Sequence, residues 1–302
     1  MQGLAAFVMR GPFNAGGVAV AMLLLGLGLP PFAWLSAAVI ALVTLRLGAG
    51  AAARVSGPAL IGLALAGWLL LASPGILVGS ALASWLPVVV LALVLRERLR
   101  LEETLLVACV LGWAVVFGVH LFMAEPNSFW RELLVQGLRP EATANQFNTT
   151  PAAMRELIDR VAPIMTGMAS LSLVLSALTS LLLARWWQAA LYNPGGFGQE
   201  FRGLRLGRTV AMLTLALLVV ALATDVALLD GLALVAFGVY AFQGLAVVHA
   251  LVRAHESGLI GLIALYIALV PLMPYVALGL VLFGAADAWG DYRRRLEVDG
   301  TK

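Results

Sequence analysis

Charge is scarce in this chain of 302 residues: only 12% are Asp, Glu, Lys or Arg, while 62% are hydrophobic. A soluble chain of this length cannot cover its surface with so few charges, and apolar runs of about 20 residues recur from end to end. The sequence therefore belongs to a polytopic membrane protein. Lysine is almost missing, since Lys302 is the only one, and arginine carries the formal net charge of +3. The arginines sit in short segments between apolar runs and not in one patch, which excludes a nucleic-acid interface. A single cysteine, Cys109, excludes a disulfide framework and a thiolate metal cluster, and reads as a small buried hydrophobe. Three histidines in three separate places give no zinc signature. No cofactor and no metal are expected.

What is present is a series of apolar segments near 13–29, 32–47, 57–72, 76–95, 104–124, 161–184, 209–224 and 231–252, with a last stretch at 258–286. Lipid offers no partner to a free backbone group, and these runs are apolar on all sides, so they are predicted as helices. The expected fold is all-α: one integral membrane domain, 1–302, with eight spans plus a C-terminal proline-broken stretch. The N-terminus, "MQGLAAFVMRGPFNAGG", has no compact apolar region ending in a small-residue cleavage site, and reads as retained.

Arginine placement sets the orientation, because basic loops stay cytoplasmic. Arg10, Arg46 with Arg54, the "RERLR" cluster (96–100), the segment from Arg185 to Arg208, and Arg253 alternate with corners that hold no basic residue: "LPPF", "ASPG" and "TDVALLD". The expectation is a bacterial cytoplasmic (inner) membrane protein with its N-terminus in the cytoplasm. One crossing after Arg253 would carry Arg293, Arg294 and Arg295 outside against this rule. That stretch contains Pro271 and Pro274, which kink or split a helix. It is either one kinked helix with an exposed basic tail or a broken pair that turns back, and the second reading is preferred.

One substantial segment lies outside the membrane, the extracytoplasmic insert at 125–160. Phe129, Trp130, Leu133, Leu134 and Leu138, then Met154, Leu157, Ile158 and Val161, recur at helical spacing, which predicts two short amphipathic helices joined by a polar linker. These lie on the outer membrane surface, cap a cavity, or merely link two spans.

The richest polar chemistry is in "ARWWQAALYNPGGFGQEFRGLRLGR", predicted as a cytoplasmic loop at 185–208. Arg185, Trp186, Trp187 and Gln188 suit a membrane-interface anchor, where amphipathic rings and long cationic side chains gather. Anchoring does not account for Tyr192, Asn193, Pro194, Gly195, Gly196 and Phe197, whose Pro-Gly-Gly core asks for a turn with positive φ available. Glu200, Arg202 and Arg205 follow on an apparent short helix. Backbone N–H groups beside arginines can hold a carboxylate or phosphate, so the loop is either a ligand or partner contact or a structural re-entry turn. Its spacing matches no dinucleotide or Walker fingerprint.

Polar side chains inside a bilayer are costly and count as functional candidates. Gln243, His249 and Asp287 qualify, as does His120, while Thr166, Ser170, Ser172, Ser176, Thr179 and Ser180 read as a small polar stripe serving close helix packing. Gln243 and His249, six residues apart, share no helix face. Asp287 pairs with a nearby Arg or serves a site. No nucleophile–base pair appears, which argues against an enzyme, and no two converging carboxylates appear, which leaves a proton-coupled pump without support.

"SWLPVVVLALVLR" (84–96), "ARWWQAALYNPGGFGQEFRGLRL" (184–206), "FQGLAVVH" (242–249) and "LFGAADAWGDYRRR" (282–295) resemble the YybS-like family of uncharacterised bacterial inner-membrane proteins. That family is similar in fold to the substrate-binding components of energy-coupling-factor vitamin transporters, which implies a helical bundle that cradles a small molecule. This chain departs from them in having more than six apolar segments and an outer insert. Two expectations follow: a small-molecule binding or transport component in the lipid bilayer, or a non-catalytic scaffold that recruits a membrane or cytoplasmic protein partner through 192–208.

Overall fold

The computed structural model describes residues 2–253, 258–269 and 271–293, and every regular element among them is helical. The first six helices are α1 (Gln2–Val8), α2 (Pro12–Gly26), α3 (Pro31–Leu47), α4 (Ala49–Leu71), α5 (Pro74–Arg98) and α6 (Leu101–Phe122). The insert holds α7 (Pro126–Leu138), α8 (Pro140–Thr143) and α9 (Pro151–Val161). Then come α10 (Met165–Tyr192), α11 (Gly196–Arg202), α12 (Gly207–Leu222), α13 (Ala227–Arg253), α14 (Gly258–Leu269) and α15 (Met273–Gly290). Proline opens α2, α3, α5, α7, α8 and α9, where its missing N–H is one the helix could not have used.

All nine apolar stretches are helical, which makes this a multi-pass integral membrane protein, but the expected count of eight spans is not reached by length. Six described helices are long and apolar enough to cross a bilayer, and seven if the pair α11 and α12, bent by 60°, counts as one span. The shortfall lies in α2 and α3, with 15 and 17 residues. At 1.5 Å per residue, α2 is about 22 Å long against a hydrocarbon core of about 30 Å.

The centre of the bundle is α3, in which Ser36 to Leu45 are buried without interruption against α2, α5 and α10. A polar relay crosses this core: Trp85 Nε1 donates to Ser36 Oγ at 3.1 Å, and Ser36 Oγ donates to the Ala19 carbonyl at 2.7 Å. Elsewhere helices approach through glycine. A Cβ on Gly167 would meet Gly231 Cα at 2.6 Å, and one on Gly244 would meet the Leu280 carbonyl oxygen at 1.8 Å. The expected polar stripe on α10 is split. Thr166, Ser170 and Ser180 are buried, and Ser170 Oγ donates to the Gly112 carbonyl at 2.7 Å, while Ser172 and Thr179 are exposed on other faces of the helix.

The helix ends sort onto two faces. Contacts knit one of them together: Gln2 Nε2 to the Ala190 carbonyl, Arg46 over the Tyr192 ring, Arg96 to the Leu45 carbonyl, and Arg205 to Asp291. Among the described residues this face holds twelve arginines and six carboxylates, against four arginines and seven carboxylates on the other. The end of α13 is here too, since His249 packs on Phe201, and so is Arg293. The chain is on the basic face at the end of α13 and again at Arg293, and a break at 271–272 separates α14 from α15. Arg294 and Arg295 lie outside the described residues.

On the opposite face, α9 runs on through a short 3₁₀ turn into α10, so that 151–192 is one helical rod of 42 residues. Helix α7 packs beside it, with Leu134 and Val135 against Ala144, Met154 and Ile158, and Trp130 Nε1 donates to Thr166 Oγ1 at 2.8 Å. Thr150 caps α9 by accepting from Ala153 N at 3.2 Å. The insert is a hairpin that continues the α10 rod.

Candidate functional site

Residues 185–192, expected in the loop, are helical because α10 does not end at the apolar boundary but continues to Tyr192. That extension separates the two tryptophans by 100° of rotation. Trp186 is 40% exposed, in keeping with an interface anchor, whereas Trp187 is fully buried and its Nε1 has no hydrogen-bond partner. The anchor reading fails for Trp187, which is a core residue. It fails for Arg185 as well: the guanidinium reaches inward, with Nη2 2.8 Å from Glu200 Oε2 and Nη1 donating to Gln188 Oε1 at 2.6 Å. This ion pair ties α11 back onto α10, and both partners are half-buried.

The turn between these helices has the geometry its residues ask for. Gly195 has φ of 87°, where a side chain would be strained. Gly196 N donates to the Asn193 carbonyl at 3.1 Å, and a Cβ on Gly196 would strike the Asn193 amide at 2.3 Å. Pro194 stands exposed in the turn, and Tyr192 lies under Arg46, whose guanidinium carbon is 4.4 Å from the ring centroid. Beyond the turn, Phe197 and Phe201 point the same way, and an aromatic chain runs from Phe197 to Phe201, His249 and Tyr266 with centroids 5.4 to 6.0 Å apart.

After α11 the chain bends at Gly203 to Leu206, and here the loop meets the intramembrane candidates. Gln243 Oε1 accepts from Leu206 N at 2.9 Å. Asp287 is 4% exposed and pairs with Arg293, which is 5% exposed. Both Arg293 Nε and Nη2 converge on Asp287 Oδ2, at 3.0 and 2.7 Å. Arg293 Nη1 donates in turn to the carbonyls of Arg202 and Leu204, at 2.8 and 2.9 Å. Three main-chain groups of the corner are thus fixed from α13 and from the end of α15. The other carboxylate oxygen, Asp287 Oδ1, is buried and has no partner. Leaving such an atom bare costs about 1–3 kcal/mol or more for a charged group.

Gln243, His249 and Asp287, separate in sequence, are thus gathered under the loop. His249 Nδ1 takes the Leu245 carbonyl, so its contact with the site is through Phe201 and Tyr266. His120 is not part of the cluster: it faces the insert side and bonds the Val116 carbonyl. Arg205 is held by Asp291 at 2.7 Å, while the Arg202 guanidinium, half-buried beside Gly198, has its backbone carbonyl engaged instead. The sequence reading missed three participants, Tyr240, Tyr266 and Asp291, and left open which nearby arginine pairs with Asp287. That arginine is Arg293, six residues on, a spacing that needs the α15 helix to end in between. Asp291 provides that end by adopting a left-handed cap at φ of 45°.

Comparison with known proteins adds no identity to this geometry: no family profile, no curated protein and no solved structure matches the chain.

Proposed function

We propose that this chain is a small-molecule binding or transport component of the bacterial inner membrane, with the arginine-rich face and the N-terminus in the cytoplasm. Its site is the cluster of Gln243, Tyr240, Asp287 and Arg293 beneath the 203–206 corner, not a cavity under the outer insert. The observation that carries this reading is the bare, buried oxygen of Asp287 beside a bent helix pair. Ionisable groups in a bilayer interior mark pathways and binding sites, and broken helices are where membrane proteins expose backbone to a ligand. The resemblance to YybS-like proteins, and through them to vitamin-binding transporter components, points the same way. The orientation rests on the excess of arginine on one face.

The reading includes eight crossings before α14, with α2 and α3 as short spans. Gly16 of α2 lies against Val55 and Ala59 of α4, four to ten residues from the starts of both helices, so α2 rises beside α4 and α3 returns between them. Local bilayer thinning accommodates spans of this length.

Mass spectrometry of the purified protein tests the proposal. A small molecule bound in stoichiometric amount, and lost in Asp287→Ala while the protein still accumulates, is the expected result. A stoichiometric protein partner with no small molecule, released by Arg202→Lys, would replace this reading with the scaffold, which the half-exposed Arg202 guanidinium favours.

A further inference from the structure

We propose that a cleft at the base of the insert, between the α6–α7 corner and the turn before α10, binds the headgroup of one phosphatidylethanolamine molecule from the bilayer leaflet on that side. Glu125 and Asp159 hold its ammonium and Arg131 holds its phosphate. The cleft lies on the face opposite the Asp287 cluster and goes beyond the function proposed above.

The cleft has a volume of about 510 Å³, and its lining includes Glu125, Asn127 and Ser128 at the start of α7, Arg131 one turn on, Asp159 of α9, and Pro163 in the turn that follows α9. Sites for small ligands run from about 300 to 1,000 Å³, so a headgroup has room. Its depth in the membrane follows from its place in the chain. The lining starts at Ala124, just after α6 ends at Phe122, and stops at Pro163, just before α10 begins at Met165. It therefore sits where hydrocarbon gives way to headgroups. Trp130, which bonds Thr166 at the start of α10, marks the same level, since indole rings gather at that boundary. The chain that flanks the cleft is apolar and uncovered: Leu121 and Phe122 are 77% and 86% exposed, and Ile164 is 37% exposed. A polar cleft next to such side chains suits a ligand that carries acyl chains.

The polar groups select the headgroup. Arg131 donates from Nε to Asp159 Oδ1 at 2.5 Å, which leaves Nη1 and Nη2 without a partner among the described residues. Such a fork matches two oxygens of a phosphate. Ser128 Oγ turns back onto the main-chain carbonyl of Glu125 at 2.9 Å and leaves the carboxylate alone. Among the described residues nothing bonds Glu125 Oε1, Glu125 Oε2 or Asp159 Oδ2, so three acceptors stand ready for the three N–H donors of a primary ammonium. Charge points the same way. Two carboxylates against one guanidinium leave a surplus of negative charge in the lining. A phosphate joined to an ammonium is neutral overall and brings its cation to that surplus, whereas an anionic headgroup adds charge of the wrong sign. A quaternary ammonium has no N–H to donate. A metal ion lacks ligands here, since no group of three His, Cys, Asp or Glu able to hold one occurs among the described residues.

Native mass spectrometry of the purified full chain, titrated in detergent with one lipid at a time, tests the site. One phosphatidylethanolamine molecule should bind per chain, and more tightly than phosphatidylglycerol or phosphatidylcholine with the same acyl chains. Glu125→Gln should weaken it about tenfold or more, as loss of a hydrogen bond to a charged group does. Because the Glu125 carboxylate bonds no described residue, that variant should fold like the wild type. Glu132→Gln, on the same helix but outside the cleft, should change nothing. Equal affinity for the three lipids, no bound lipid, or binding that ignores Glu125→Gln each overturns the inference. Glycerophosphoethanolamine, the same headgroup without acyl chains, is the remaining arm: binding as tight as that of the lipid overturns the lipid source in favour of a soluble zwitterion. Asp287→Ala should leave the lipid bound, so this result and that of the co-purifying small molecule are read separately.

Discussion

At the scale of single residues, burial and hydrogen bonding decide what each unusual side chain is for. Trp187 shows how far identity alone can mislead. A tryptophan near an arginine at the end of an apolar run is expected at the membrane interface, yet this one fills the core and leaves its N–H without a partner. Trp187→Ala should therefore cost about 3–5 kcal/mol, as large aromatic truncations in cores do. Trp187→Phe should cost much less, since it removes the orphaned donor along with part of the ring. Unfolding in a mixed-detergent titration separates the two, and equal losses would show that the indole N–H has a partner after all. Ser36 offers the opposite test. It links Trp85 to the Ala19 carbonyl across three helices, so Ser36→Ala strands the Trp85 N–H and should cost about 1–3 kcal/mol by the same measurement. Substitution of the exposed Ser80, which bonds only its own helix, should leave the midpoint within about 0.5 kcal/mol.

At the scale of elements, composition and prolines made the helices legible, and packing decided the rest. The nine apolar stretches, the prolines that open helices and the break at Pro271 all follow from local chemistry, because a bilayer leaves the backbone no other choice. The ends of α10 were not legible. The polar segment from Arg185 to Gln188 stays helical, held by the pair of Arg185 with Glu200, a partner that no local rule reveals. The same holds for α9, whose strongly amphipathic sequence suits a surface helix until Leu134 and Val135 of α7 cover its apolar side. Within the candidate site, the turn at Gly195 and the polar candidates on α13 and α15 could be read from the chain. Their convergence could not, since it depends on the close glycine contact of Gly244 with Leu280. Gly244→Ala should accordingly push α15 away from α13 and undo the Asp287–Arg293 cluster, with a larger loss of folded protein than Gly279→Ala, whose Cβ meets nothing within 4 Å. Comparable yields for the two variants would mean that α15 does not need that close approach.

At the scale of the whole molecule, the question is which ends share a side of the membrane. The basic face collects Arg46, Arg96, Arg205 and Arg293 through contacts with neighbouring helix ends, although they are as much as 247 positions apart in sequence. The insert, by contrast, meets the far ends of α10 and α13 through α7 and the turn that follows α9. A chain with these two faces must place Ser128 and Gln199 on opposite sides of the bilayer, and Gln199 on the same side as the end of α15. The proposed orientation puts the latter side in the cytoplasm, because moving basic loops across the membrane is disfavoured while acidic ones pass. Single cysteines at Ser128 and Gln199, in a Cys109→Ala background, test the arrangement in intact cells with a membrane-impermeant maleimide. Ser128→Cys should label without permeabilisation and Gln199→Cys only after it. A reporter fused after Lys302 should behave like Gln199→Cys, since the chain returns to the basic face by Arg293. Labelling of both cysteines from one side would contradict the two-faced bundle itself. Labelling of Gln199→Cys alone from outside would keep the bundle and reverse its orientation, and the arginine rule would then have been overridden by the carboxylates that pair with Arg185, Arg205 and Arg293 on that face.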